Sequence, residues 1–96
     1  MLLGKIVGTV VATQKEPEIE GLRLMMVRVL NSSLEPSDAL IIAADAIGSG
    51  VGEVVLLAQG SSARQTAVTD NRPIDAVVMA IVDLLEVGGE TLYQKE

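Results

Sequence analysis

Between residues 5 and 60 the chain alternates between short runs of strand formers and clusters of turn residues, and this rhythm restricts its fold most. Residues 5–13, KIVGTVVAT, are β-branched and strand-forming. Residues 14–21, QKEPEIEG, are polar and carry Pro17 and Gly21, so they read as a turn. LRLMMVRVL, residues 22–30, is a second strand, with Arg23 and Arg28 on opposite faces unless a bulge intervenes. NSSLEPSD, residues 31–38, is loop by composition; ALIIAADAI, 39–47, and EVVLLAQG, 53–60, are a third and a fourth strand. The last three runs lack clean alternation, which implies burial on both faces along part of their length. Several short strands joined by turns predict a small closed or nearly closed barrel, whose closure removes the edges that invite aggregation.

The core of such a barrel must be aliphatic. The chain has 96 residues, 49% of them hydrophobic, yet Tyr93 is its one aromatic residue. That is more aliphatic surface than one small domain hides, and association with further copies would cover the surplus. The formal net charge is −6, from 13 acidic and 7 basic residues. A nucleic-acid binder needs a positive stripe and, for single strands, rings on which bases stack; neither is present. With no cysteine or histidine, disulfides, thiolate chemistry, common zinc sites and the usual general base near neutral pH are all excluded. The longest purely apolar run, Ala76 to Val82, is far short of the ~18 residues of a spanning helix. The N-terminus lacks the pattern of a secretory signal. A cytoplasmic location is the expectation.

Two later stretches are less regular. In SSARQT, residues 61–66, Ser61 or Ser62 suits a helix N-cap and Ala63, Arg64 and Gln65 favour a turn or two of helix. Residues 73–87, PIDAVVMAIVDLLEV, are ambiguous. Ile74, Val77, Val78, Ile81 and Leu85 fit a helical stripe, with Pro73 at its start and Gly88 at its end. The β-branched content and the preceding DNRP turn argue for a strand.

Residues 46–64, AIGSGVGEVVLLAQGSSAR, hold the main candidate site. Gly48, Gly50 and Gly52 alternate. A dinucleotide fingerprint needs G-x-G-x-x-G leading into a helix, whereas this G-x-G-x-G leads into a strand; a P-loop motif is absent. A connection between two strands, with glycines supplying positive φ and room for close backbone packing, accounts for all three. Ser61 and Ser62 have no histidine to activate them as nucleophiles. Arg64 suits an anion or a pairing with Glu53 or Asp45, the pairing being the commoner fate of a lone arginine. Glu16, Glu18 and Glu20 share a face if extended, as a weak cation site or, more commonly, a solvated turn. Asp75 and Asp83 interrupt an apolar stretch as caps, solvent-facing groups or partner contacts. In the tail, residues 88–96, Gly88 and Gly89 permit a change of direction, and Leu92 and Tyr93 have apolar surface to dock on a barrel, with the subunit interface as the expected place.

Three blocks carry a resemblance. GKIVGTVVAT at 4–13, ADAIGSGVGEVVLLAQGSSAR at 44–64 and PIDAVVMAIVDLLEVGG at 73–89 resemble the EutN/CcmL family, the vertex proteins of bacterial microcompartment shells, carboxysomes among them. The glycine loop followed by a strand and G-S-S-A-R is the most specific part; Ser49 departs from the alanine common there. The resemblance implies a mainly all-β single domain over 1–96: a five-stranded OB-like barrel with one short helix and a C-terminal tail. It implies a strand across 76–86, against the periodicity. It further implies a non-catalytic homopentamer, without cofactor or metal, that joins hexameric shell proteins and binds neither nucleic acid nor membrane. Gly48, Ser49, Gly50, Gly52, Glu53, Ser61, Ser62 and Arg64 are then candidates for a subunit interface or pore loop. The rival expectation is an OB-type or anion-binding module built on the glycine loop and Arg64.

Overall fold

Five strands close on themselves in the computed structural model, which describes residues 1–96. They are β1 (Leu2–Val10), β2 (Leu24–Leu30), β3 (Pro36–Asp45), β4 (Val54–Gln59) and β5 (Ala76–Ile81). Around the barrel the order is β1-β2-β3-β5-β4, and β4 returns to β1. Every pairing is antiparallel except β3 with β5. This is the order of an OB-type barrel, as the resemblance implied.

The interior is narrow and filled without a ring. Ile6, Met25, Val27, Ala43, Val55, Leu57, Ala76 and Val78 form the central cluster. Gly4 belongs to the same layer: a Cβ there would lie 2.5 Å from Val27 Cγ1 and 3.0 Å from Leu57 Cδ1. A second cluster, Ala44, Ala58, Ala63, Ile74 and Val77, lies outside the first. Adjacent residues such as Ala43 and Ala44, Leu57 and Ala58, or Val77 and Val78 therefore bury on opposite faces. This explains the missing alternation in those strands.

Strand bounds differ from the sequence expectation where pairing decides them. β1 begins three residues early, because Leu2–Lys5 pair with β4, and ends at Val10. β3 begins at Pro36, inside the expected loop, and proline is tolerated as the first residue of a strand. The expected helix after β4 is a single 3-10 turn, Gly60–Arg64, and Pro17–Ile19 form another.

The segment 73–87 is strand, not helix, but it is not one strand. β5 stops at Ile81, the Val82 N–H donates to the Val54 carbonyl at 2.8 Å, and Asp83 leaves the barrel. Leu84–Val87 (β6) then pairs with Glu90–Gln94 (β7) in a separate two-stranded sheet. The expected tail is thus the second strand of a hairpin. Gly88 and Gly89, at φ +60° and +81°, make its two-residue turn, the geometry that matches strand twist. No residue beyond Val82 belongs to the buried core, and the molecule measures 46 × 24 × 23 Å. The hairpin is an arm attached to the barrel.

Candidate functional site: the glycine loop and its clamp

The loop from Ala46 to Glu53 joins β3 to β4 and is held by a carboxylate at each end. Asp45, the last residue of β3, is buried, and its Oδ1 accepts the N–H groups of Ile47 (3.2 Å) and Ser49 (3.1 Å) and the Ser49 hydroxyl (2.9 Å). Arg23, just before β2, donates from Nη1 to Asp45 Oδ2 at 2.6 Å and to the Ser49 carbonyl. Burial alone raises the Asp45 pKa. The hydrogen bonds from Ser49, Arg23 and Ile47 outweigh it and hold the carboxyl below its ordinary value. Ser49 is itself buried, and its hydroxyl is spent on Asp45.

Glu53 closes the other end. Its Oε1 accepts the Gly50 N–H at 2.5 Å, and its Oε2 accepts Lys95 Nζ at 2.6 Å. The Lys95 hydrogen bond, then that of Gly50, lowers the Glu53 pKa, and the same pair raises that of Lys95. The Lys95 N–H also donates to the Asp83 carbonyl at 2.8 Å. The end of the arm is therefore tied to both the glycine loop and the point where the chain leaves the barrel. Backbone bonds seat the loop on β1: Gly52 N–H donates to the Ile6 carbonyl (2.8 Å), and Ile6 N–H to the Glu53 carbonyl (3.0 Å). Val51 stands at the tip, 64% exposed.

Of the two jobs expected of these glycines, positive φ and room for close packing, two of the three do the first and none does the second within the chain. Gly48 and Gly52 have φ of +81° and +93°, and nothing lies within 4 Å of a Cβ placed on either. They supply a left-handed backbone, not close packing within the chain. Gly50 is not in that region, and a Cβ there would meet only Glu53 Oε1 at 3.4 Å. The close-approach glycine is Gly4, in β1.

Arg64 pairs with neither Glu53 nor Asp45. Its Nη1 donates to the Ile74 carbonyl at 3.2 Å, and it lines a polar cleft with Glu18, Asp70, Asn71 and Arg72. The reason is topological: the glycine loop precedes β4 and Arg64 follows it, so six strand residues, about 20 Å, separate them. A site built on the glycine loop and Arg64 together is not assembled within one chain. Ser61 and Ser62 are exposed in the 3-10 turn, whose N-cap is Gln59, and no side chain caps it. Glu16, Glu18 and Glu20 are exposed around the first 3-10 turn. Of the two tail residues, Leu92 is exposed, while Tyr93 is half-buried beside Lys5, Val7 and Arg28 of its own barrel.

Arg23 and Lys95 were missed by reading the sequence. Asp45 and Arg23 are 22 residues apart and Glu53 and Lys95 are 42 apart, so no local pattern marks either pair. The arm did have a signal: Gly-Gly between LLEV and ETLY is a hairpin signature.

Fold and loop together define the class: a small OB-type barrel whose buried polar groups fix backbone in place. The family described as "Ethanolamine utilisation protein EutN/carboxysome" matches residues 1–83, the barrel without the arm. The carboxysome shell vertex protein CcmL of Gloeobacter violaceus is 40% identical over 96 residues, 100% of this chain and 96% of that protein. The solved structure of Gloeobacter violaceus CcmL superposes with a TM-score of 0.95 over 99% of this chain and 98% of that one. GrpN of Rhodospirillum rubrum, solved as a pentameric microcompartment shell protein, is 41% identical with a TM-score of 0.83, over 91% and 99% of the two chains. The chain belongs to the EutN/CcmL family.

Proposed function

We propose that this protein is a non-catalytic building block that assembles into five-membered rings at the vertices of a bacterial microcompartment shell. The observation that carries this is the match, over barrel and arm alike, to a shell vertex protein, joined to the pentameric state of the GrpN relative. The physics is consistent. Flat hexagonal tiles do not curve shut without five-fold corners, and a head-to-tail contact repeated with a closing rotation makes a ring. Leu40 and Ile42 on β3, Val51 on the loop, and Leu84, Val87 and Leu92 on the arm remain exposed in the single chain. That is apolar surface for neighbours to cover.

In this reading the partners are further copies of the chain and the hexameric proteins of the shell. The glycine loop, clamped at both ends, is a rigid rim at a subunit contact or an axial opening, and Leu92 on the arm meets a neighbouring subunit. No cofactor enters, and the acidic charge with a single aromatic residue argues against nucleic acid as a ligand. Native mass spectrometry of the purified chain is expected to give a species of five times the 10.0 kDa chain. A monomer persisting at micromolar concentration would overturn the reading.

A further inference from the structure

A groove on the outside of the barrel combines apolar walls with two basic side chains. Two bulges in neighbouring strands shape it. The β1–β2 register shifts between Ile6 and Gly8, leaving Val7 without a partner, and the β2–β3 register shifts between Arg28 and Leu30. Bulges re-aim side chains, and here Val7 and Leu30 line the groove. Tyr93 reaches it from the arm and Leu34 from the β2–β3 turn.

Leu34 is in the left-handed region, at φ +64°, where a leucine is strained and asparagine or glycine is at ease. Asn31 organises the turn around it, accepting the Ser33 and Glu35 N–H groups on Oδ1 at 2.9 and 3.0 Å. Nothing in the turn's hydrogen bonding calls for an aliphatic side chain at Leu34. What it contributes is apolar surface in the groove.

Charge supplies the other half. Lys5 and Arg28 are directly opposite each other across β1 and β2 and line the same groove, and like charges in that position destabilise a sheet. Neither has a carboxylate partner: the two ion pairs of the chain, Arg23–Asp45 and Lys95–Glu53, lie elsewhere. Arg28 makes one long bond, 3.4 Å, to the Ser37 carbonyl. The nearby Glu35 carboxylate is engaged by Asn31 Nδ2 at 3.2 Å. In a chain of net charge −6, two adjacent unpaired cations beside a strained leucine form a complementary surface awaiting an acid.

We propose that this groove docks a short peptide segment of a partner protein that carries a carboxylate flanked by aliphatic side chains. The carboxylate sits between Lys5 and Arg28, and the aliphatic groups cover Val7, Leu30, Leu34 and Tyr93. This goes beyond the vertex reading and is tested separately from it.

With no tryptophan and one tyrosine, emission from Tyr93 reports on the groove alone. The assembled protein is titrated with acetyl-Ser-Leu-Glu-Leu-Ser-amide and with its glutamine counterpart. A saturable change is expected with the glutamate peptide, and about fivefold weaker binding with the glutamine peptide. The double variant Lys5→Gln/Arg28→Gln should bind both alike. Leu34→Asn should be at least as stable as the parent by thermal unfolding, because it relieves the strain, yet bind the glutamate peptide more weakly. Absence of a saturable response, or equal binding of both peptides by the parent, would overturn the proposal. So would a Lys5→Gln/Arg28→Gln variant that folds but changes ring mass, since the groove would then belong to a contact between copies; ring mass of the parent tests the vertex reading independently.

Discussion

Single residues in the glycine loop separate conformational need from packing need. Gly48 and Gly52 require a left-handed backbone in open space, whereas Gly4 requires room in an ordinary strand. Gly52→Ala is therefore expected to cost about 1 kcal/mol of stability, and Gly4→Ala about 1–3 kcal/mol by overpacking Val27 and Leu57. Gly50→Ala should stay within about 0.5 kcal/mol. Urea midpoints of the three variants check this order. Asp45 gives a pH test. Its folded pKa lies below the ordinary 3.8, so on acidification the unfolded chain takes up the proton first. The stabilisation is complete above the unfolded value and drains away as pH falls through the folded one. Between about pH 6 and about pH 3 the parent should lose more stability than Asp45→Asn, which has no proton to gain there. Parallel slopes in urea unfolding would show that the carboxylate is not the anchor of the loop.

At the scale of elements, the arm is the informative part. Its two strands pair only with each other, and its link to the loop is the Lys95–Glu53 ion pair. Truncation after Asp83 removes no core residue, so thermal unfolding of the barrel should shift little. The ring, in contrast, is expected to dissociate at higher protein concentration on dilution, measured by mass photometry, because Leu84, Val87 and Leu92 leave with the arm. Equal loss of both properties would make the arm a part of the barrel's stability. Lys95→Ala is a finer cut. It frees one oxygen of Glu53 and should speed amide hydrogen exchange at Gly50, whose N–H the same carboxylate holds. Exchange in β2, which pairs with β1 and β3 and not with the loop, should not change.

The whole molecule has the barrel order that many nucleic-acid binders share, without their chemistry, because function lives in sites grafted on folds. Its charge is −6 and its single ring, Tyr93, lies against its own barrel. Fluorescence anisotropy with single-stranded DNA at physiological salt is expected to show no binding at micromolar protein; binding that weakens steeply with salt would revive that function. The elongated outline, 46 Å against 24 and 23 Å, is a barrel with a projecting handle. A handle of this kind suits a subunit whose work is to hold neighbours.

Some of this was determined by the sequence alone. Four of the five barrel strands were legible as β-branched runs between turn residues, because strand preference and turn chemistry act over a few neighbouring positions. Burial on both faces was legible for the same reason, in the absence of alternation. The fifth strand was not legible in local pattern, where Ile74, Val77, Val78, Ile81 and Leu85 fit a helix and the β-branched content a strand; the family resemblance implied a strand there, and pairing with β3 on one side and β4 on the other is what holds Ala76–Ile81 extended. The clamp was equally out of reach. The sequence reading offered Arg64 to Asp45 and Glu53, but their partners are Arg23 and Lys95; charge type does not choose among these cations. Closure of the barrel chooses, since it sets the start of β2 beside the end of β3 and carries Arg64 to the opposite end of β4. Local preference decides what each segment can be, and long-range pairing decides which segments, and so which charges, meet.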